Sequence, residues 1–233
     1  MAWAHPLLLP VLIPLASAAI CSLISFARPR SKDLITSIVS VIAMALTLAS
    51  LYPVYNLLRA EKVAVYVVGG AFVVEVDYLS LFLMVAVTVL SFFVSIFAIR
   101  YMERDIEVDK YNVLFLSMVA GMNGVAIAGD LFNLYVFYEL MCLSSYVLVA
   151  FRREQWEPVE AGFKYLVMSA VGSTMVLLAI AALFGFTGTL TMALVGKKME
   201  ELAFRMPIAV KTVLLSLILV GFGVKAALAP LHT

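Results

Sequence analysis

Residues 131–151 read LFNLYVFYELMCLSSYVLVAF, an apolar run with a single charged side chain, Glu139. A run of about 20 apolar residues is long enough to cross the roughly 30 Å hydrocarbon core of a bilayer as an α-helix. Burying a carboxylate there costs roughly 2.5–3.5 kcal/mol on insertion scales, so an ionisable residue in such a helix indicates a functional site with a partner. The stretch therefore predicts a membrane-spanning helix with a polar site inside it.

The remainder of the chain has the same apolar character. Hydrophobic residues make up 64% and charged residues 13% of the 233 residues, and the mean hydropathy is +1.08. Soluble domains contain about 45–50% apolar and about 25% charged residues. The composition predicts an all-α integral membrane protein with one membrane domain, residues 1–233, of which residues 1–102 hold the first three spans. Seven stretches are predicted to span: Trp3–Phe26, Leu34–Leu58, Tyr78–Met102, Tyr111–Ala128, Leu131–Phe151, Val159–Phe186 and Pro207–Pro230.

Composition also excludes several classes of function. The formal net charge is +1, with Lys and Arg spread over short loops, so the chain offers no basic surface for nucleic acid. Cys21 and Cys142 lie in apolar stretches without a CxxC pattern or a nearby histidine, which argues against a disulfide framework or a metal site. Because the chain also lacks haem, iron–sulfur and flavin motifs, we expect no cofactor, no metal and no catalytic residue.

The loop charges predict the orientation of the chain. A basic cluster of Arg28, Arg30 and Lys32 follows the first span, and no positive segment precedes it. This favours a retained span over a signal peptide, with the N-terminus outside. Over all loops, eight Lys and Arg fall on the side of this cluster and six on the other, which places the cluster in the cytoplasm.

Two segments on the outer side are predicted to have structure of their own. Val63–Val68 and Ala71–Val76 are β-branched runs separated by two glycines, which predicts a β-hairpin. Thr189–Arg205 has apolar residues at helical spacing and predicts an amphipathic helix, either flat on the membrane surface or packed on its neighbours. Asp77 and Asp130 each precede a span and are predicted to cap its first turn.

Three charged residues lie at depth within the predicted spans: Glu139, Lys164 and Lys225. With a rise of 1.5 Å per residue, Glu139 lies about 13.5 Å from the outer boundary, and both lysines lie about 9 Å from the inner one. The lysines therefore share a level, one side-chain length from the glutamate. Because neighbouring charges set each other's proton affinity, the arrangement predicts a lysine whose pKa is switched electrostatically by a paired glutamate.

Each of these residues has a plainer interpretation as well. Lys164 is shallow enough to extend its ammonium to the interface, and Glu139 could be a structural hydrogen-bonding group. Lys225 could mark a helix C-terminus, where the helix dipole favours a cation. His232 could continue a proton relay or have no role.

The last span also contains residues that weaken a helix. Gly221, Gly223 and Pro230 lie close to Lys225, and they predict that this span is broken near the lysine. Non-helical backbone at membrane depth is tolerated only against protein or a water-filled cavity, so a break here favours an ion path.

Three blocks of sequence carry a family resemblance: Gly129–Glu139 (GDLFNLYVFYE), Glu160–Leu166 (EAGFKYL) and Gly221–His232 (GFGVKAALAPLH). They resemble the antiporter-like subunit family, of the MrpD and NuoL, NuoM and NuoN type, from Mrp antiporters, respiratory complex I, and membrane-bound hydrogenase and sulfur-reductase complexes. The segment Val76–Ser80 is similar to the start of the family's third span, so the resemblance covers the chain from about that point onward.

The resemblance implies roles for particular residues. Glu139 would be the span-five glutamate, Lys225 the lysine on a broken span-seven helix, and Lys164 an additional span-six lysine. Residues 103–233 would form part of an antiporter-like repeat. Family members continue past the last block into a second, inverted repeat, so a chain ending at Thr233 is expected to be an N-terminal-half member whose second half-channel comes from a partner.

The implied function is proton translocation, or a contribution to Na⁺/H⁺ antiport, by a subunit of a multisubunit respiratory or Mrp-type complex. The implied location is a prokaryotic plasma membrane, with the lipid bilayer and other membrane subunits as partners, and with protons, or alternatively Na⁺, as the ions. The chain would not be catalytic by itself, but part of an ion-pumping oxidoreductase complex or a cation antiporter. A non-conducting structural or assembly subunit of the same descent is the alternative.

Overall fold

The computed structural model describes residues 6–27, 31–68, 72–103, 107–202, 206–226 and 228. Within these residues, eight α-helices and one two-stranded sheet follow in chain order. After a 3₁₀ turn at Pro6–Leu8 they are α1 Leu9–Ala27, α2 Lys32–Glu61, β1 Ala64–Val68, β2 Phe72–Val76, α3 Tyr78–Tyr101, α4 Val108–Ile127, α5 Leu131–Val149, α6 Trp156–Thr187, α7 Met192–Leu202 and α8 Ile208–Lys225. The all-α membrane fold predicted from composition is confirmed.

The predicted number of seven spans is not confirmed. Among the described residues, six helices are long and apolar enough to cross a bilayer, and α4 is not one of them. This helix carries Asp109, Asn112 and Asn123, which are at most 3% exposed. It is shielded by packing chiefly against α1 and α5, so its polar residues contact protein instead of lipid.

The predicted hairpin is present and closes one end of the helix bundle. β1 and β2 pair antiparallel, with Tyr66 opposite Val74, and the glycine turn itself lies outside the described residues. Val74 and Val76 are fully buried in a core shared with Leu58 and Met84 of the flanking helices. We call this side of the molecule the hairpin end.

Asp130 attaches the hairpin to the rest of the bundle, and its predicted capping role is confirmed. Its carboxylate accepts a hydrogen bond from the backbone N–H of Asn133 at 2.8 Å, inside the first turn of α5. It also accepts one from the backbone N–H of Val73 in β2 at 3.1 Å. Asp77 caps α3 in the same way, through the N–H of Ser80 at 2.7 Å.

A buried ion pair fastens three helices at the opposite end. Asp109 of α4 has no exposed surface, and one of its oxygens lies 2.9 Å from the ammonium nitrogen of Lys32 at the start of α2. Ser25 of α1 donates a hydrogen bond to the other oxygen. Because a buried carboxylate must be paired, this contact fixes the relative positions of α1, α2 and α4.

The last helix differs from its prediction in one respect. α8 runs without interruption through Gly221 and Gly223 and ends at Lys225, so the break is not at the glycines. Pro230 and the residues around it lie outside the described part of the chain, and the predicted break there stays a prediction.

The segment predicted as an amphipathic helix forms α7, Met192–Leu202. Its apolar face packs on neighbouring helices, because Val195 is buried together with Leu183 of α6 and Leu214 of α8. Of the two interpretations drawn from the sequence, these contacts favour a connecting helix packed on its neighbours.

Candidate functional site

The site lies where α5, α6 and α8 meet, and two glycines bring α6 and α8 together. A Cβ atom built on Gly221 would lie 2.8 Å from the backbone oxygen of Gly172 and 2.6 Å from a methyl carbon of Val176. No side chain larger than hydrogen fits at Gly221, so the two backbones are in direct contact. Lys225 follows one helical turn later on α8 and is thereby placed against α5.

Two tyrosines of α5 surround the Lys225 ammonium. Its nitrogen lies 4.8 Å from the ring centre of Tyr138 and 5.1 Å from that of Tyr146. The ammonium also donates a hydrogen bond to the Tyr146 hydroxyl. Cation–π contacts within about 6 Å favour the charged amine where water is scarce, so the rings and the hydroxyl together form a binding site for an ammonium group.

Packing fixes both tyrosine rings. The Tyr138 ring meets Phe222 of α8 edge to face at 5.7 Å, and the Tyr146 ring meets Tyr165 of α6 in the same way at 4.7 Å. Ser169 of α6, which is 1% exposed, also hydrogen-bonds the Tyr146 side chain. The ammonium site is therefore built from three helices and does not depend on one flexible side chain.

Glu139 lies on the same helix, next to Tyr138 in sequence. Its Oε1 atom is buried, and no group in the described part of the chain lies within hydrogen-bond distance of it. A buried carboxylate oxygen without a partner is costly and rare in folded proteins. Packing alone therefore gives no explanation for a carboxylate at position 139.

Glu139 and Lys225 do not form an ion pair in this structure. Within the described residues, no nitrogen–oxygen contact of 4.0 Å or less joins them. Lys225 lies beside Cys142, three residues or about 4.5 Å along α5 from Glu139. Tyr135, one turn before Glu139, lies within electrostatic range of both Glu139 and Lys225.

Of the other two predicted site residues, only Lys164 lies in the described part of the chain, and it is not part of this cluster. Lys164 is 68% exposed and forms an ion pair with Glu160, four residues earlier on α6, at 2.6 Å. The predicted roles of Lys164 and of its neighbourhood with Lys225 stay predictions. His232 lies outside the described residues.

Sequence reasoning missed Tyr138, Tyr146 and Ser169. A signal was available for Tyr146, because it follows Glu139 by seven residues, two helical turns, and so lies on the same face of α5. Ser169 offered no such signal, since an isolated serine in an apolar helix is commonplace in membrane proteins. No group of three or more His, Cys, Asp or Glu side chains that could hold a metal ion occurs among the residues the structure describes.

The fold and the site define a class of protein: a multi-pass membrane protein with an acid and an amine enclosed between its helices. Residues 128–233 match the family model described as NADH:quinone oxidoreductase/Mrp antiporter, TM. Residues 70–111 match the model described as NADH-Ubiquinone oxidoreductase (complex I), chain 5 N-terminus.

Individual relatives agree with the family models. The chain is 31% identical over 207 residues to NADH-quinone oxidoreductase subunit N of Rubrobacter xylanophilus, covering 89% of this chain and 41% of the relative. It is 28% identical over 230 residues to a Na⁺/H⁺ antiporter subunit of Alkalihalophilus pseudofirmus, covering 97% of this chain and 45% of the relative.

The fold matches a solved structure over almost its whole length. A chain in the structure of the membrane-bound sulfane sulfur reductase, an archaeal respiratory membrane complex, superposes with a TM-score of 0.85 and 28% sequence identity, covering 98% of this chain and 46% of that one. The chain belongs to the antiporter-like subunit family. It spans about half the length of the curated relatives it matches.

Proposed function

We propose that this chain is a proton-translocating subunit of a multisubunit respiratory or Mrp-type complex, with Glu139 and Lys225 as the working pair. The observation that carries the proposal is the buried, unpartnered Glu139 oxygen on α5, the same helix whose Tyr138 and Tyr146 rings hold the Lys225 ammonium. An unpaired carboxylate within a membrane helix is energetically costly, and such residues generally occur where they serve a function.

The proposed mechanism is electrostatic. When Lys225 and Glu139 approach each other, the ammonium and the carboxylate stabilise each other's charge. When they separate, the ammonium can release its proton to a neighbouring acceptor, and the carboxylate can take up a proton from a neighbouring donor. A neighbouring subunit that moves a charge near Glu139 would change this balance, so the pair couples events outside the chain to the protonation of Lys225. The chain holds no catalytic role in this scheme.

The cellular setting belongs to the same proposal. The relatives named above are subunits of larger assemblies, and we extend this to other membrane subunits as partners of this chain in a prokaryotic plasma membrane. The N-terminus and the hairpin end would face outward, in line with the loop charges. The transported ion is a proton, and Na⁺ would be exchanged against it if the host complex is an antiporter.

The experiment is proton uptake by inverted membrane vesicles that contain the assembled host complex, with Glu139→Gln compared with Glu103→Gln. Both variants neutralise a glutamate, but Glu103 lies on the surface in an exposed ion pair with Arg100. We expect uptake per assembled complex to fall at least about tenfold in Glu139→Gln only. Unchanged uptake in Glu139→Gln at normal assembly would refute the proposal and indicate a non-conducting structural subunit.

A further inference from the structure

The acceptor of Lys225 in this structure is a tyrosine and not the glutamate. The ammonium donates a hydrogen bond to the Tyr146 hydroxyl, while Glu139 Oε1, buried on the same helix, has no partner in the described part of the chain. The amine therefore rests beside a neutral acceptor, although α5 also carries a carboxylate, which would bind it more strongly in isolation.

Tyr138 and Tyr146 contribute similar ring contacts but differ in their hydroxyls. Both ring centres lie about 5 Å from the ammonium nitrogen, so their cation–π attractions are comparable. The Tyr138 hydroxyl is buried and has no hydrogen-bond partner among the described residues. The Tyr146 hydroxyl, by contrast, accepts a hydrogen bond from the ammonium. This hydrogen bond favours the observed position of the ammonium over a position nearer Glu139.

We propose that Tyr146 is a positioning residue that acts as the second acceptor for Lys225, and that the ammonium alternates between Tyr146 and Glu139 during translocation. The inference rests on the proposed function and adds a residue to it. With the ammonium on Tyr146 the glutamate is unpaired, and with the ammonium on Glu139 the pair is closed. The phenol thereby keeps the ion pair from becoming permanent.

The consequence of removing the hydroxyl follows from the competition between two acceptors. A charge-assisted hydrogen bond is among the stronger hydrogen bonds in proteins, and losing it on one side shifts a two-state population by about tenfold or more. In Tyr146→Phe the ring and its cation–π contact remain, but the ammonium has lost its hydroxyl acceptor, so the balance between the two positions shifts towards Glu139. The pair then opens about tenfold less often, and translocation slows by the same factor.

The test uses the whole chain in its assembled host complex, with Tyr78→Phe as the matched control. Both variants remove one tyrosine hydroxyl that takes part in a hydrogen bond, but Tyr78 begins α3 and donates to the Leu58 carbonyl at 3.2 Å, outside the Lys225 site. We expect proton uptake per assembled complex to fall about tenfold in Tyr146→Phe and to stay within about twofold of wild type in Tyr78→Phe.

A second substitution separates this role from a structural one. Glu139→Asp withdraws the carboxylate by one methylene and weakens the closed pair, so Tyr146→Phe/Glu139→Asp should translocate faster than Tyr146→Phe alone. If Tyr146 only supported the packing of α5 and α6, the two losses would multiply and the double variant would be slower than either single one. A slower double variant would overturn the proposal.

Equal uptake in Tyr146→Phe and Tyr78→Phe would also overturn it. If Glu139→Gln abolished uptake in the same membranes, the proposed function would stand without this residue; if it did not, both would fail. If Tyr146→Phe failed to assemble, 3-fluorotyrosine at position 146 would keep the shape of the side chain while weakening the oxygen as an acceptor. An unchanged rate in that protein would refute the inference, and a reduced rate would support it.

Discussion

The contact between α6 and α8 makes Gly221→Ala a demanding test of how Lys225 is positioned. The new methyl group would lie 2.6 Å from a Val176 methyl and 2.8 Å from the Gly172 backbone oxygen, where an ordinary contact is 3.4 Å or more. These distances fall short of an ordinary contact by 0.8 Å and 0.6 Å, and Val176, which is 1% exposed, is enclosed by close-packed neighbours. Overpacking of this kind costs about 1–3 kcal/mol, and here the helices must separate to relieve it.

Separation of α8 from α6 also displaces Lys225, one turn later, from its tyrosine cage. A misplacement of about 1 Å can reduce the rate of a positioned step by up to about 10²-fold, so we expect proton uptake per assembled complex to fall at least about tenfold. Gly185→Ala is the matched control, because a Cβ there meets nothing within 4 Å. Alanine is the better helix former by about 1 kcal/mol, so this control should be neutral or slightly stabilising.

The assay combines thermal unfolding of the purified complex with proton uptake at matched assembly. The reasoning predicts a lower melting temperature and slower uptake for Gly221→Ala, and neither change for Gly185→Ala. Wild-type stability and uptake in Gly221→Ala would show that α6 and α8 do not need this close contact, and that Lys225 is positioned in some other way.

Two further predictions concern the end of the bundle opposite the hairpin. Asp109→Ala leaves Lys32 without its carboxylate and should destabilise the complex by about 2–3 kcal/mol in a thermal unfolding assay. This is less than for a fully buried pair, because the Lys32 side chain is 31% exposed. Glu160→Ala removes an exposed ion pair and should cost no more than about 1 kcal/mol in the same assay, and equal losses in the two variants would contradict this prediction. The hydrogen bond from Lys110, aided by the charge of Arg153, holds the pKa of Glu107 below its ordinary 4.5. A carboxyl group whose pKa is lowered in the folded state stabilises the protein above its ordinary pKa, and this stabilisation is lost as the pH falls through the folded-state pKa. The melting temperature of Glu107→Gln should therefore lie below that of wild type at pH 7, and the two should converge below about pH 4.5.

The spans and caps could be predicted because each depends on a local pattern. Apolar runs of sufficient length identify membrane helices whatever their neighbours are. An aspartate directly before such a run predicts a helix cap, and both Asp77 and Asp130 cap the helix that follows them. The hairpin could be predicted equally well, since two β-branched runs around a glycine pair are typical of a hairpin. The number of spans was harder to predict, because the shielding of α4 from lipid depends on which helices surround it.

The candidate site could be predicted in its charges but not in its contacts. Glu139 and Lys225 are conspicuous because a charge in an apolar run is costly. Helical rise gives depth along the membrane but not rotation about the helix axis, so it could not show that Lys164 extends to the surface towards Glu160. Helical rise also could not show that Lys225 hydrogen-bonds Tyr146 instead of Glu139. That contact depends on how closely α8 approaches α6 at Gly221.

The central claim is that a proton passes through the amine of Lys225. The most direct measurement is proton uptake by inverted vesicles carrying Lys225→Met, a side chain of similar length without a charge, compared with Lys198→Met, which removes a lysine that donates to the Thr187 carbonyl at the start of the α6–α7 connection. We expect uptake per assembled complex to be lost, by more than about tenfold, in Lys225→Met and retained in Lys198→Met. Uptake at the wild-type rate in a fully assembled Lys225→Met complex would contradict the account.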